Sequence, residues 1–289
     1  MNRLKFDRQG ENPERWLGAR VVSIISGKGG VGKSVLAYNL AERMVASGIL
    51  VLLVDADFCC GNLHILANQA CEHGISEFIE DQLPLDRART VVADNLHLLA
   101  SPQVGMNKHL ADPETASHLL TRLQREGSAY DVILIDHSSG ISEAAVAMVQ
   151  GSNLNLITVV PELTSISDGY GLYKHLLETG GADQSRLLVN RVIATEEADN
   201  VRNKFGALTG RFLGHPLECL GSIPEDVSVR NAIASQVAVA QHNPDCKATK
   251  ALSTLARTVV RELFKDRIPT GSAQTEKINI EAAMADIKG

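Results

Sequence analysis

The sequence predicts an α/β fold in which helices cover both faces of a mostly parallel sheet. First, short apolar runs recur along the chain, among them residues 21–25, 49–57 and 130–136. Second, successive positions of these runs are apolar, which is typical of strands buried on both faces. Third, segments with helical spacing separate the runs, and such alternation predicts parallel strands joined by crossover helices.

The first unit is VVSIISGKGGVGKS at residues 21–34, followed by the helical segment VLAYNLAERMVASG. We expect a strand, a glycine-rich turn and a helix that begins near Gly32. The glycines let the backbone adopt positive φ and direct its N–H groups at an anion, and the helix adds its positive dipole end. The alternative is a glycine turn without a ligand.

The spacing GxxxxGK[ST] between a strand and a helix is the signature of a phosphate-binding loop. In such a loop, Lys33 reaches the β- and γ-phosphates of a nucleotide and the Ser34 hydroxyl holds Mg²⁺. We therefore predict a nucleotide and Mg²⁺ as cofactors, and the family resemblance given below implies that the nucleotide is ATP. The predicted nucleotide-binding residues of the loop are Gly27, Lys28, Gly29, Gly30, Val31, Gly32, Lys33, Ser34 and Val35.

Acidic residues close two of the predicted strands. The run ILVLLVDAD ends in Asp55 and Asp57, and YDVILID ends in Asp136. Ligands of open α/β sheets bind at the carboxyl ends of the strands. Phosphoryl transfer requires positioned positive charge, a metal ion and an oriented water molecule. These acids are therefore candidates for the metal and water sites, and a buried structural aspartate is the alternative.

The remaining elements follow in order along the chain. We predict helices around 74–82, at 113–126 with Asp112 as N-cap, at 164–179, near 196–209 and at 246–264, strands at 95–100, 154–160 and 186–192, and a segment 217–226 that closes with a short helix. In the last helix, an apolar stripe at helical spacing is expected to face the core, although a membrane-surface helix is the alternative. The stripe consists of Leu252, Leu255, Val259 and Leu263.

The composition predicts a cytoplasmic protein. The chain has 289 residues, of which 44% are hydrophobic, and this suffices for a sizeable core. The formal net charge of −6 provides no basic field, so we expect no nucleic-acid partner. The five cysteines lack metal-binding spacing, and their odd number argues against a disulfide framework. We expect neither a signal peptide nor a membrane-spanning helix.

We divide the chain into an N-terminal extension (1–19), a nucleotide-binding domain (20–265) and a C-terminal tail (266–289). The extension is polar, with a few apolar anchors: Leu4, Phe6, Trp16 and Leu17. The tail carries an apolar stripe at helical spacing, formed by Ile280, Ala283, Met284 and Ile287. Because the charges around this stripe cancel, we expect at most a weak peripheral contact with the inner face of the cell membrane.

Lys28, near the start of the loop, makes KGGVGKS resemble the deviant Walker A motif of the MinD/ParA family of P-loop ATPases. DADFCCGNLHIL and IDHSSGIS look like the two switches of that family. The resemblance implies that Lys28 reaches the partner's nucleotide across a dimer interface, and that Asp57 orients the attacking water. It implies the catalytic residues Lys28, Lys33 and Asp57, and the metal-site residues Ser34, Asp57 and Asp136.

The resemblance also covers the nucleotide base. LVNR is similar to a strand whose asparagine contacts adenine in this family, which implies that role for Asn190 and a base-stacking role for Arg191. GSIPEDVSVRNA looks like the loop on the far side of the base. It implies the binding residues Ile223, Pro224, Glu225 and Asp226.

Within the family, PELTSISDGYGLYKHLLE and the stretch 221–252 most resemble the flagellar-number ATPases (FlhG/FleN). This implies an ATP-dependent switch that dimerises with ATP, hydrolyses it slowly and regulates flagellar number or placement. The implied partners are a second copy of the chain and flagellar assembly or regulatory proteins, such as an SRP-type GTPase, a switch-complex protein or a transcriptional regulator.

Several residues depart from the family pattern. Cys59 and Cys60 replace small or apolar residues of the first switch, His64 stands where an acid is common, and His137 lies in the second switch. We interpret His137 as a loop histidine without a functional role, with a catalytic histidine as the alternative. These departures affect hydrolysis more than nucleotide binding. The alternative functions are a catalytically weak scaffold that docks partners, a ParA-like partitioning ATPase and an iron–sulfur carrier.

Overall fold

The computed structural model of the chain describes residues 18–58, 61–101 and 112–265. In this part of the chain, eight strands form a single sheet in the order β3-β4-β2-β5-β1-β6-β7-β8. Its strands are β1 (Arg20–Ile25), β2 (Val51–Ala56), β3 (Thr90–Ala93), β4 (Leu96–Leu99), β5 (Val132–His137), β6 (Leu154–Val159), β7 (Ser185–Val192) and β8 (Cys219–Pro224). All neighbours pair in parallel except β3 and β4, so the predicted fold class is confirmed.

Helices connect the strands and cover both faces of the sheet. They are α1 (Lys33–Ala46), α2 (Leu63–Leu66), α3 (Ile75–Ile79), α4 (Leu85–Ala88), α5 (Pro113–Glu126), α6 (Glu143–Gln150), α7 (Leu163–Thr179), α8 (Thr195–Leu213), α9 (Val227–Ala234), α10 (Val239–His242) and α11 (Lys247–Phe264). No helix of the described residues is both long and apolar enough to cross a membrane.

Successive residues of a strand pack on opposite faces of the sheet. Val22 and Leu53 belong to a core with α1 and α11, whereas Val21 and Leu52 belong to a core with α3, α5 and α6. A third core joins β6 and β7 to α7 and α8. The strands are apolar at successive positions because helices bury both faces. The stripe predicted in the last helix is buried in the first core, which confirms that it faces inward.

The structure differs from the sequence-based expectations mainly in short elements. Strand β3 was not predicted, because its four residues alternate between half-buried and exposed positions at the edge of the sheet. The segment 217–226 was expected to close with a helix, but it forms β8 and α9 begins only after it. The helix expected around 74–82 ends at Ile79, and Asp81 then adopts a positive φ of 59°.

Several expectations concern residues outside the described ranges. They are the apolar anchors of residues 1–17, Cys59 and Cys60, and the apolar stripe of the tail at 266–289.

The carboxyl ends of the three neighbouring strands β1, β5 and β2 lie side by side at one edge of the sheet. In the strand register, Asp136 of β5 lies beside Ile24 of β1 on one side and beside Asp55 of β2 on the other. Because parallel strands end at the same edge, the loop after β1 and the acids of β2 and β5 are brought together.

Candidate functional site

The loop between β1 and α1 adopts backbone conformations that require glycine. Gly30 and Gly32 have φ angles of 80° and 90°, which residues with a Cβ rarely adopt. Gly32 is also the N-cap of α1, and within the described part of the chain no side chain caps this helix end. The first N–H groups of α1 are therefore available to an anion, which the helix dipole favours.

The loop is packed closely against two other elements. A Cβ atom built on Gly27 would lie 2.3 Å from the carbonyl oxygen of Asp168 in α7. One built on Gly32 would lie 2.7 Å from Nδ2 of Asn190 in β7. Glycine at both positions thus lets the loop sit between α7 and the end of β7.

Lys33, the first residue of α1, has a nearly buried side chain that points toward the acids. Its Nζ donates a hydrogen bond of 2.7 Å to the Ser139 hydroxyl, in the loop after β5. Burial lowers the pKa of Lys33, while the negative charges of Asp136 and Asp57 oppose this shift. The three charged groups therefore share one site at the sheet edge.

Asp136 and Ser34 offer oxygen atoms suited to a hard cation. The Asp136 carboxyl group is buried and hydrogen-bonded to the Ser34 side chain, and its Oδ1 atom has no hydrogen-bond partner among the described residues. Burial raises the pKa of Asp136 to about 7, although Ser34 and Lys33 oppose this shift. Mg²⁺ prefers such ligands and would stabilise the charged carboxylate. Together with the half-buried Asp57, these residues fit a magnesium site.

Asp55 organises the backbone of the same region. Its carboxylate oxygens accept hydrogen bonds from the Asp57 N–H at 3.2 Å and the Leu63 N–H at 3.1 Å. Burial and the neighbouring Asp136 raise the pKa of Asp55 to about 7. Asp55 therefore ties the loop after β2 to the start of α2, a structural role that also fixes the backbone of Asp57.

Lys28 contacts the beginning of α7 in its own subunit. Its Nζ lies 2.6 Å from Oε2 of Glu162 and 2.8 Å from the Thr164 hydroxyl. The hydrogen bond and positive charge of Lys28 lower the pKa of Glu162. The sequence-based expectation concerned a partner's nucleotide, whereas these contacts are internal to one chain. The Lys28 side chain stays about one-third exposed.

A cavity of about 270 Å³ adjoins the loop on the side of β7 and β8. Its lining includes the predicted residues Gly30, Gly32, Val35, Asn190, Arg191, Ile223, Pro224, Glu225 and Asp226. The Asn190 side chain donates a hydrogen bond of 2.8 Å to the carbonyl oxygen of Val31, so the loop and the cavity wall are directly connected. The structure thus brings the residues predicted for phosphate and for base into one continuous site.

Arg191 and Glu225, both in the lining of the cavity, form an ion pair, and Arg191 has a left-handed backbone conformation. Arg191 has a φ of 58°, and its Nε donates a hydrogen bond of 2.8 Å to Glu225. Asp226 also lines the cavity, and it caps α9 by accepting a hydrogen bond from the Ser228 N–H at 2.9 Å. Its second oxygen accepts from the Ala248 N–H at 3.2 Å and so fixes the start of α11.

Sequence reasoning missed part of the cavity lining. The additional residues are Leu36, Asn39, Val229, Arg230, Ile233 and Leu252. The first two follow Val35 by one and four positions on α1, so helical spacing could have indicated them. Val229 and Arg230 belong to the segment GSIPEDVSVRNA, so its resemblance could have indicated them. Ile233 and Leu252 depend on how α9 and α11 pack against the sheet, for which the sequence carries no local signal.

The two histidines of the switch segments both lie in regular secondary structure. His137 is the last residue of β5, fully buried, with Nε2 2.9 Å from the Ser23 hydroxyl. The expectation of a loop histidine is therefore wrong, because the strand continues one residue past Asp136. Burial and the charge of Lys33 lower the pKa of His137 to about 3. His64 lies in α2, and its Nδ1 atom is buried without a partner among the described residues.

Comparison with known proteins finds relatives over most of the chain. A family model described as the CobQ/CobB/MinD/ParA nucleotide binding domain matches residues 22–239. The antiactivator FleN of Pseudomonas aeruginosa is 30% identical over 240 residues, which cover 83% of this chain and 86% of FleN. The septum site-determining protein MinD of Helicobacter pylori is 28% identical over 260 residues, covering 84% and 91%.

Solved structures share the fold. MinD of Pyrococcus horikoshii, solved with Mg-ADP, superposes with a TM-score of 0.70 at 24% identity, over 83% of this chain and 96% of that one. MinD of Aquifex aeolicus, in a MinC:MinD complex, gives a TM-score of 0.68 at 26% identity over 83% and 96%.

Proposed function

Because the chain belongs to the CobQ/CobB/MinD/ParA nucleotide-binding family, we propose that it is an ATP-driven molecular switch. It binds ATP with Mg²⁺ in the domain of residues 20–265, dimerises in the ATP state and hydrolyses ATP slowly. The observation that carries this proposal is the single site at the sheet edge, where Lys33, Ser34, Asp57 and Asp136 adjoin a cavity of base size.

Each part of ATP has residues suited to it. The loop amides, the N-terminus of α1 and Lys33 bind the phosphates, while Asn190 and Arg191 border the base. Ser34 and Asp136 hold the metal, which when bound supplies further positive charge at the phosphates. Asp57 orients the attacking water, because its backbone is fixed by Asp55 and its carboxylate is near Lys33.

Dimerisation is proposed from the surface around the phosphate loop. Four apolar side chains there are between 48% and 82% exposed: Ile141, Leu163, Ile193 and Val227. They follow the carboxyl ends of β5, β6, β7 and β8, so they lie on the edge that carries the nucleotide site. Lys28, part of a deviant Walker A motif, lies on the same edge. A second copy of the chain would cover these side chains and bring its own Lys28 toward the bound nucleotide.

The flagellar role is proposed from the similarity to FleN, an antiactivator. The switch would then regulate flagellar number or placement through flagellar assembly or regulatory proteins, such as an SRP-type GTPase, a switch-complex protein or a transcriptional regulator. We also propose a cytoplasmic location with a weak peripheral membrane contact through the tail. The similarity to MinD proteins of the septum site is the reason to keep positioning of a cell-division site as a second candidate.

Lys33→Ala tests the nucleotide-binding part of the proposal. We expect calorimetry to show a roughly 10- to 100-fold loss of ATP affinity, because charge-assisted hydrogen bonds contribute about 1.5–3 kcal/mol each. Lys174→Ala, which removes a half-exposed lysine of α7 distant in sequence from the loop, is the matched control. Unchanged ATP affinity of Lys33→Ala would contradict the assignment of the phosphate loop.

The same substitution in the native host separates the two cellular roles. A Lys33→Ala strain should have an altered number or position of flagella with normal septum placement. Misplaced septa with normal flagella would favour the division-site candidate instead.

A further inference from the structure

Ser139, a residue of the IDHSSGIS segment, lies at the phosphate loop although it is not among the predicted site residues. It is an exposed residue of the loop after β5, and its hydroxyl oxygen is 2.7 Å from Nζ of Lys33. A Cβ atom on Gly29 would lie 3.7 Å from this hydroxyl, so Ser139 also lies over the first half of the phosphate loop. A backbone hydrogen bond of 2.9 Å from Gly140 to Ser26 joins the two loops beside it.

The direction of the hydrogen bond between Lys33 and Ser139 leaves the Ser139 hydroxyl free to donate a second hydrogen bond. The Lys33 ammonium group has only donors, so the Ser139 oxygen must accept the hydrogen bond. The hydroxyl proton of Ser139 therefore remains available to an acceptor. Accepting from a positive group also polarises the hydroxyl and makes it a stronger donor.

The position of Ser139 relative to the cavity places it near the phosphate end of a bound nucleotide. The base cavity is lined by Gly30 and Gly32 of the loop, and Ser139 is not part of that lining. Ser139 instead contacts Lys33 Nζ and lies over Gly29. A nucleotide with its base in the cavity extends over the loop, so its last phosphate lies on the side of Ser139.

We propose that Ser139 is a ligand of the terminal phosphate. The Ser139 hydroxyl donates a hydrogen bond to a γ-phosphate oxygen while its oxygen accepts a hydrogen bond from Lys33. This inference rests on the proposed function, since it requires ATP in the site. It assigns to Ser139 a role in distinguishing the triphosphate from the diphosphate. Because a diphosphate ends one phosphate earlier, Ser139 makes no comparable contact with ADP.

Calorimetry with Mg²⁺ and either ADP or a non-hydrolysable triphosphate, AMPPNP, tests this role without any dependence on turnover. We expect Ser139→Ala to weaken AMPPNP binding roughly tenfold, the effect of losing one hydrogen bond to a charged group. ADP affinity should stay within about twofold of the wild-type value. Ser139→Thr, which keeps the hydroxyl, should retain AMPPNP affinity. Ser138→Ala is the matched control in the same loop and should change neither affinity.

The outcomes separate this inference from the proposed function. If Ser139→Ala weakens ADP and AMPPNP equally, Ser139 only positions Lys33 and the inference is wrong. If wild-type protein binds AMPPNP and Ser139→Ala binds it as tightly, the inference is also wrong while the proposed function stands. If the wild type binds neither nucleotide, both are wrong.

Discussion

At the scale of single residues, His137 is a titratable side chain buried at the end of strand β5. Its Nε2 atom contacts the Ser23 hydroxyl, which in turn lies 2.9 Å from the Ser152 hydroxyl. The pKa of His137 falls from an ordinary 6.5 to about 3, chiefly through burial. Between these two values the unfolded chain binds a proton that the folded chain does not, so acidification lowers the free energy of unfolding.

His137→Gln should remove this dependence on pH. Glutamine stays neutral and retains an amide that can hydrogen-bond Ser23. We expect the free energy of unfolding of the wild type, relative to the variant, to fall by about 2 kcal/mol when the pH is lowered from 7.5 to 5. Urea unfolding of both proteins at both pH values measures this change in the difference between their free energies of unfolding.

The comparison with the variant is needed because two neighbouring acids act in the opposite direction. The pKa values of Asp55 and Asp136 are raised by burial from 3.8 to about 7, so these groups lower stability as the pH rises across that range. Their contribution is common to wild type and variant and cancels in the difference. A difference that does not change with pH would contradict the buried, neutral histidine.

At the scale of elements, α7 is in contact with the phosphate loop at two places. Glu162 and Thr164 at its start hold the Lys28 ammonium group, and the backbone of Asp168 one turn later approaches Gly27. A lysine engaged by its own subunit must leave these contacts to reach a partner. In the proposed dimer, the beginning of α7 would therefore compete with the partner's nucleotide for Lys28.

Glu162→Gln should weaken this competition. Glutamine removes the negative charge that pairs with Lys28 but keeps the size of the side chain. We expect the ATP-dependent dimer to form at a lower protein concentration, as measured by analytical ultracentrifugation with ATP. Glu178→Gln, on the same helix and 4.0 Å from Lys174, is the matched control and should not change dimerisation. A dimer that weakens or does not change in Glu162→Gln would show that the contact does not restrain Lys28.

At the scale of the whole molecule, the proposed dimer depends on charge at the shared edge. ATP carries more negative charge than one loop neutralises, so a second subunit that offers Lys28 gains a charge-assisted contact that ADP largely lacks. Asp57→Ala should bind ATP, stop hydrolysis and accumulate as a dimer. Lys28→Ala should bind ATP but neither dimerise nor hydrolyse it, because the interface and the transition state lose the same charge.

Size-exclusion chromatography with light scattering, run with ATP and with ADP, tests both variants together with steady-state phosphate release. The wild type should be dimeric with ATP and monomeric with ADP. Normal dimerisation of Lys28→Ala, or normal hydrolysis by Asp57→Ala, would rule out the cross-subunit mechanism for this protein. A wild type that binds ATP and releases no phosphate would instead favour the scaffold alternative.

The features that were predictable from the sequence are those encoded within a few residues. The glycines before Lys33 and the acids at the ends of β2 and β5 each lie within one strand–loop unit, so local pattern sufficed to locate them. The contacts of Lys28 with Glu162 and of Lys33 with Ser139 join residues separated by 134 and 106 positions. Such pairs depend on strand order and helix packing, for which no local motif exists.

Strand β3 and the burial of His137 could not be predicted for a related reason. Strand β3 has no distinctive pattern because it lies at the sheet edge with one partner. A polar residue after an acid resembles the end of a strand, so the sequence predicts a loop position for His137. Its ring contacts the Ser23 hydroxyl of β1, a residue 114 positions away in the chain.

The position of β1 also has a consequence for the order of events during synthesis. This strand lies between β5 and β6, and its first pairing partner begins about 110 residues later in the chain. At roughly 5–20 residues per second, the ribosome needs on the order of ten seconds to deliver that partner. During this interval β1 and the glycine loop that follows it lack the two strands that flank β1 in the folded sheet. The chain therefore acquires its capacity to hold a nucleotide only in the second half of its synthesis.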